Sequence, residues 1–402
     1  MLQVERASGY GGVAEGLVHG VCKELEQAVG GALHGQLYMD ETHFQANRQI
    51  LLDLNPYVLS PREALAEYLV SRGVAALLDF RPIDKHGLIL GGRPCIIPRS
   101  KEDVMLDASL SLLEKRQLMR LMALTTGPDQ PPDHLQVPFV QLAAQLSIPS
   151  AASVFQMLIY GIAAARTREE AQQLSVGAVA LRVRQYVQSL ERYGGNTALL
   201  YPHGGSNSII QAICRAAAVS GAVQILDQGG VQLCPSGGTI SGCFDGNPWQ
   251  TRFGQAILAD DPPESGEDSS ASLVRAALIL KRDSALGGVF GDEGCNLWVV
   301  PPDEQQSSPS PTIFILQVDA AAACCPPDHL LLYAWMHMHS SPALGFDQAT
   351  DQLKHTLGQL VNMPPERNRP DLPHVLLAAL YPHRPSEIPH SIISPAAIND
   401  RR

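Results

Sequence analysis

A mixed α/β (α+β) fold, a sheet domain interrupted by a small helical domain, is predicted by three observations. Strand-like segments occur on both sides of the middle of the chain, at 77–80 and again at 223–226, 276–280, 297–300, 313–318 and 330–336. Between them, Leu106, Leu110, Leu113, Met119, Met122, Phe139, Leu142 and Leu146 recur at helical spacing with few β-branched runs. The 402 residues exceed one compact core but suit two. The expected boundaries are 1–101 for the first part of the sheet domain, 102–193 for the helical domain and 194–402 for the rest of the sheet domain.

Taken in order, Leu2-Gln3-Val4-Glu5 reads as the end of a short strand. The glycine cluster Gly9 to Gly12 and an apolar helix from Val13 to Val29 follow. Ser60-Pro61-Arg62-Glu63 opens the next helix, since serine caps and proline suits the first turn. Leu77 to Phe80 is a strand and Gly87 to Pro94 a glycine-rich hairpin. After the helical block, Tyr201-Pro202 and the turn His203-Gly204-Gly205 lead into a helix over Ile209 to Ala218. Segments 260–270, 303–311 and 364–373 are acidic or rich in Pro and Ser and are given no regular structure.

Composition excludes several classes. Lys plus Arg number 29 against 40 Asp plus Glu, a formal charge of −11 with no offsetting basic block, so a nucleic-acid partner is not expected. The N-terminus is charged where a signal peptide needs an apolar stretch, and the longest near-apolar run, Ala151 to Ala165, is shorter than the ~20 residues of a membrane span. A cytosolic protein is therefore expected. Its eight cysteines show no C-x-x-C pair, which favours reduced core thiols.

Motifs for chemistry are weak. Gly9-x-Gly11-x-x-Ala14 satisfies a loose dinucleotide pattern, but Glu5-Arg6 is charged where the first strand of such a unit is apolar. Glu5 better fits the acidic end of the unit's second strand, so the first strand and its glycine loop are expected to be missing from this sequence. His337 and His339 share one strand face at a spacing a metal could use, or form a plain edge pair. No nucleophile signature occurs. Ala151 to Ala165, with Phe155, Met157, Leu158 and Ile162, is apolar around most of its circumference. It reads either as a core helix or as the lining of a greasy pocket, where ten buried methylenes would supply roughly 8 kcal/mol of gross transfer energy.

Several segments, in order, resemble one superfamily, the Rab GDP-dissociation inhibitors and Rab escort proteins. Val4-Glu5-Arg6-Ala7-Ser8-Gly9-Tyr10-Gly11-Gly12, Leu52-Asp53-Leu54-Asn55-Pro56, Leu78-Asp79-Phe80-Arg81 and Ile97-Pro98-Arg99-Ser100 with Leu113-Glu114-Lys115-Arg116 each match a family segment. The fullest match runs from Ser189-Leu190-Glu191-Arg192-Tyr193-Gly194 through Leu200-Tyr201-Pro202 to Gln211-Ala212-Ile213-Cys214-Arg215 and Gly221. The C-terminal third, at 273–284 and 374–381, is more similar to the escort branch than to the inhibitors.

The resemblance implies a flavoprotein-like sheet domain that holds no FAD, and a helical domain that holds a geranylgeranyl group. It implies a non-catalytic accessory protein that binds Rab GTPases in the GDP form, presents them to the Rab geranylgeranyltransferase α/β heterodimer and delivers them transiently to membranes. By motif, Tyr10, Ser208, Gln211, Arg215 and Ile225 fall on the family's Rab-binding platform, and Arg192 and Tyr193 on its mobile loop. Phe155, Met157, Leu158 and Ile162 are the expected lipid contacts. Ser208 stands where the family has a glutamate and Gly204 where it has a tyrosine. From the residues alone, Tyr10 is equally a turn residue and Arg215 a helix-surface charge. A GDP-dissociation inhibitor and a flavin-dependent oxidoreductase of the same fold are the alternatives.

Overall fold

The computed structural model describes residues 2–4, 17–19, 29, 35–40, 42–44, 49–126, 135–190, 192–193, 197–226, 232–234, 239–244, 247–252, 256–258, 273–282, 288–291, 293–303, 311–338, 345–364, 369, 371–383 and 391–393. The chain starts with short strands, β1 (Leu2–Val4), β2 (Leu17–His19), β3 (Gln36–Met39) and β4 (Leu51–Asp53). Helix α1 (Ala64–Ser71) and a 3₁₀ turn over Val74–Leu77 precede β5 (Phe80–Pro82) and the hairpin of β6 (Lys85–Leu90) and β7 (Arg93–Ile96). The expected hairpin at Gly87 to Pro94 is therefore present.

A run of helices follows: α2 (Lys101–Leu106), α3 (Leu112–Thr126), α4 (Phe139–Gln145), α5 (Ser153–Gln156), α6 (Arg168–Gln173) and α7 (Val176–Leu190). Four of them start on side-chain caps, α3 with Ser111 Oγ accepting the Glu114 N–H and α7 with Ser175 Oγ accepting the Ala178 N–H. Ser100 Oγ accepts the Asp103 N–H while the Asp103 carboxylate accepts the Ser100 N–H, and Thr167 Oγ1 accepts the Glu170 N–H. From Met157 to Ile162, α5 continues as a π-helical turn in which Ala163 N–H reaches Leu158 O.

Strand β8 (Leu200–Pro202) leads to helix α8 (Asn207–Val219) and β9 (Val223–Ile225), which pairs in parallel with β1, Val4 opposite Ile225. Then come β10 (Gln232–Cys234), β11 (Thr239–Phe244), β12 (Asn247–Arg252) and β13 (Ala256–Leu258), followed by β14 (Leu273–Lys281), β15 (Asn296–Val300), β16 (Ile313–Val318) and β17 (His329–His337). Helix α9 (Phe346–Gly358), β18 (Val375–His383) and β19 (Ser391–Ile393) complete the described elements.

The large sheet has eight strands in the order β3-β18-β14-β17-β16-β15-β6-β7, antiparallel throughout except for the parallel pair β15–β6. Residues 273–280 of β14, at its centre, are all buried, as a strand covered on both faces must be. Val274, Ala276, Leu278 and Leu280 face a cluster with Ala349, Leu353 and Leu357 of α9. Ala277 and Ile279 point the other way, into a cluster with Ile50, Leu52, Leu54, Ile83 and Tyr201. The helical run has its own core around Leu121, Phe139, Val154, Phe155, Val179 and Val183, and docks on Leu88, Cys95, Ile97, Val299 and Phe314 of the sheet.

Three local expectations are corrected. Residues 17–19, inside the expected helix from Val13 to Val29, form β2 paired antiparallel with β4, because a partner strand outweighs the local apolar pattern. The strand expected at Leu77 to Phe80 starts only at Phe80, since Val74–Leu77 coil into the 3₁₀ turn behind α1. Helix α1 begins at Ala64 with Glu63 as its first cap residue, and Ser60 does not cap it. Instead the Ser60 N–H donates to the Glu63 carboxylate. Among the described cysteines, Cys95, Cys214, Cys295, Cys324 and Cys325 are buried and unbridged, whereas Cys243 is exposed. Burial pushes the Cys295 and Cys325 thiols up to about 12, so both are inert core groups.

Candidate functional site

The described residues expected on the platform, Ser208, Gln211, Arg215 and Ile225, lie on α8 and on β9 after it. The approach to α8 is a turn in which Gly204 and Gly205 adopt φ of 79° and 89°, a left-handed geometry that disfavours side chains. A tyrosine at 204 would strain this turn, which accounts for the glycine there. Ile209, Ala212, Ile213 and Ala216 turn toward Leu69, Val74, Leu78 and Phe80, seating α8 on α1 and the 3₁₀ turn. On the other side of the helix Gln211 and Arg215 are exposed, with Ser208 half-buried one turn earlier. The spacing of three and four residues puts all three on one stripe. The Ser208 Oγ is buried and has no hydrogen-bond partner among the described residues. Gln224 Nε2 donates to Cys214 O at 2.9 Å, which ties β9 to the helix's far end and brings half-buried Ile225 alongside.

The near end of α8 is fixed by a buried carboxylate. Asp53, at the end of β4, accepts the Ser206 N–H at 2.7 Å, the Tyr201 hydroxyl at 3.1 Å and the Asn55 N–H at 3.0 Å. Its own N–H donates to the Tyr333 hydroxyl at 3.0 Å. Burial and the Asp53 charge push the Tyr201 phenol well above its ordinary value. Arg275 of β14, also buried, lies within electrostatic reach of this group, and desolvation lowers its guanidinium below the usual value. Tyr57 N–H donates to Ser206 Oγ at 2.7 Å, and Tyr57 Oη donates to Glu63 Oε1 at 2.7 Å. Desolvation raises the Glu63 carboxyl, so it accepts the phenol at the edge of the platform as a weakly acidic group.

The resemblance puts Arg192 and Tyr193 on a mobile loop, and the structure shows what they touch. Arg192, just past α7, pairs through Nη1 with Glu67 Oε1 of α1, and its guanidinium lies 5.4 Å from the Tyr193 ring centroid. The Arg192 hydrogen bond holds the Glu67 carboxylate below its ordinary range. Through α1 the end of the helical run is thus linked to the helix that seats α8.

Of the expected lipid contacts, Phe155, Met157 and Leu158 are buried in the helical core, with Phe155 5.8 Å from Phe139 between ring centroids. Ile162 is only half-buried. In the helical run, exposed apolar side chains cluster elsewhere, at Met105, Leu106, Leu112 and Leu113, where α2 ends and α3 begins, with Leu181 of α7 exposed as well. Lys115 Nζ donates to Met105 O at 2.8 Å and holds the two helix ends together. Tyr10, the glycine pattern 9–14 and His339 lie outside the described residues, and His337 ends β17 half-buried. Sequence reasoning missed Asp53 as the anchor and Glu67 as the partner of Arg192. The Leu52-Asp53-Leu54-Asn55-Pro56 segment carried the first signal, since an acid inside an apolar strand must find donors.

A large mixed sheet, an inserted helical core and an anchored surface helix define a flavoprotein-like fold. The sequence profile described as "GDP dissociation inhibitor" matches residues 1–282, and the chain belongs to that family. It is 25% identical over 364 residues to Rab escort protein 1 of Arabidopsis thaliana, covering 80% of this chain and 63% of the relative. It is 28% identical over 187 residues to the Rab proteins geranylgeranyltransferase component A of Drosophila melanogaster, covering 45% of this chain and 35% of the relative. The chain therefore spans less than two thirds of the length of each. Its fold is similar to a Rab GDI from Plasmodium falciparum, with a TM-score of 0.64 and 11% identity over 95% of this chain and 83% of that one. An oxidoreductase from Methanosarcina mazei shares the fold at a TM-score of 0.52 and 14% identity, over 95% and 82%. No helix among the described residues is long and apolar enough to cross a membrane.

Proposed function

We propose that the chain acts as a Rab escort protein. In this reading it binds GDP-bound Rab GTPases, presents them to the Rab geranylgeranyltransferase α/β heterodimer and keeps the attached geranylgeranyl group out of water, with no bond chemistry of its own. The observation that carries the reading is the exposed pair Gln211 and Arg215, with half-buried Ser208 on the same stripe, on a helix whose start is held by buried Asp53. An interface gains from such a fixed surface because little ordering entropy is lost on docking, and an exposed arginine can form a bidentate charge-assisted contact there. Ile225 adds an apolar element, and Tyr10, six residues beyond Val4 at the end of the paired strand, is the proposed aromatic anchor.

For the lipid, the proposed site is the helical run over 102–193, with Phe155, Met157 and Leu158 as inner wall and Ile162 at its rim. Met105, Leu106, Leu112 and Leu113 supply exposed apolar surface for the chain's approach. No flavin takes part in this reading, which rests on Glu5-Arg6 preceding the glycine pattern and on the names of the relatives. The proposed location is the cytosol, with transient membrane visits to deliver the prenylated product. A GDP-dissociation inhibitor acting on already prenylated Rabs is the second reading, favoured by the family profile.

The test is a reconstituted prenylation with purified transferase, unprenylated GDP-Rab and geranylgeranyl diphosphate, this chain being the only variable. Lipid incorporation that requires the chain, and that falls on Arg215→Ala, is the expected outcome. A folded chain that supports no incorporation overturns the escort reading; if it then extracts prenylated Rab from vesicles, the inhibitor reading takes its place.

A further inference from the structure

Three metal-ligating side chains converge at the β3 edge of the large sheet, away from the platform. Asp40 follows β3, and its N–H donates to Leu376 O at 2.8 Å, extending the pairing of β3 with β18 by one more bond. His374 directly precedes β18, and His43 sits in the turn that Asp40 opens. Asp40 Oδ1 accepts the Thr42 N–H at 3.1 Å and the His43 N–H at 3.3 Å, so the turn itself orients the carboxylate. The second oxygen, Oδ2, then faces both imidazoles: His43 Nδ1 lies 2.9 Å away and His374 Nε2 2.8 Å away. The rings stand edge to face, with centroids 5.6 Å apart.

Three features fit this group to a cation. One ligand atom from each residue can be chosen so that all lie within 4.8 Å of one another. Ligands at ~2.0–2.1 Å from one ion at tetrahedral angles stand about 3.3 Å apart, so an ion needs the present contacts to open by about half an ångström. His43, whose side chain is 59% exposed, and His374, at 29%, can each move that far, while Asp40 at 3% stays fixed. The donor set of two imidazoles and one carboxylate suits a borderline divalent ion, and argues against calcium or magnesium, which prefer oxygen alone.

We propose that Asp40, His43 and His374 bind one Zn²⁺, with water in the remaining position on the exposed side. Such an ion fastens the turn after β3 to the start of β18, residues 334 apart in sequence. The site is independent of Rab recognition, and its failure leaves the escort reading untouched.

The full chain, stripped with a chelator, is titrated with Zn²⁺ against a chromophoric competitor, and with Co²⁺ read by its visible spectrum. One equivalent bound, tetrahedral Co²⁺ bands, and at least tenfold weaker binding in His43→Ala and His374→Ala are expected, on the order of the loss seen when a single metal-supporting group is removed. His43→Ala alters an exposed turn and keeps the test valid should His374→Ala fold poorly. No saturable Zn²⁺ uptake by the native chain, or unchanged affinity in folded His43→Ala, overturns the proposal.

Discussion

The Asp53 carboxylate accepts the backbone N–H of Ser206 at 2.7 Å across 153 residues of sequence. One buried charge thereby fixes the start of α8, and with it the direction in which Gln211 and Arg215 point. Asp53 also binds the Tyr201 hydroxyl, so the same group holds β8 against β4.

Asp53→Asn keeps the shape and removes the charge. An amide must present an NH₂ to at least one of the donors that Asp53 now serves, and a buried unsatisfied group costs roughly 1–3 kcal/mol. A urea denaturation midpoint lowered by that amount is expected, together with faster amide exchange confined to the first turn of α8. Unchanged exchange at 206–210 would show that the carboxylate does not anchor the helix.

Arg215→Ala and Gln211→Ala act on exposed positions of a helix whose other face does the packing. Stability should stay within about 0.5 kcal/mol of the native value, as for most surface changes. Rab binding, followed by titration calorimetry, should weaken in both. Equal loss of stability and binding would place these residues in the fold instead of the interface.

Ser208→Glu tests the platform in the opposite direction. Position 208 lies in the first turn of α8, where a carboxylate interacts favourably with the helix dipole by about 0.3–1 kcal/mol. The variant should be at least as thermostable as the native chain and bind GDP-Rab at least severalfold more tightly. Weaker binding would show that the surface opposite it carries no matching positive charge.

Acid should destabilise the protein through His86. Burial and the nearby Arg99 hold its imidazole down at about 3, in a contact of Nδ1 with the Tyr186 hydroxyl at 3.2 Å. Because the unfolded chain takes up the proton near pH 6.5, stability is complete above that pH and declines as pH falls from about 6.5 toward 3, by at most about 5 kcal/mol. His383, held at about 4 by burial and Arg275, acts in the same direction. Urea titrations at pH 7 and 4.5 should show this fall, with a shallower slope in His86→Gln.

Gly87→Ala should cost roughly 1–3 kcal/mol by overpacking. A Cβ at Gly87 in β6 would lie 2.7 Å from the Cys95 carbonyl oxygen of β7, which the hairpin holds in place. Thermal unfolding followed by the Trp298 and Trp335 fluorescence reads the effect.

What the sequence made legible follows from length and period. The strands at 276–280, 313–318 and 330–336 were readable because each is a long apolar run, buried on both faces. The helices between 100 and 190 were readable because their leucines and methionines repeat over several turns. The three-residue strands β2 and β4 were not, because pairing partners decide such short pieces and their own pattern does not. In the site, the stripe of Ser208, Gln211 and Arg215 followed from motif order. Its anchor did not, since the partner of Asp53 is set by where β4 ends relative to the turn at Gly204. The pair of Arg192 with Glu67 and the triad of Asp40, His43 and His374 join distant segments with no local trace.

The pairing of β3 with β18 also bears on biosynthesis. Met39 faces Leu377, so roughly 340 residues must be translated before this edge can close, on the order of tens of seconds at ribosomal speed. β6 likewise waits for β15 as its parallel neighbour. The nascent N-terminal strands therefore leave the ribosome with open backbone edges, and folding chaperones that shield such edges should be the first contacts this chain makes in the cell.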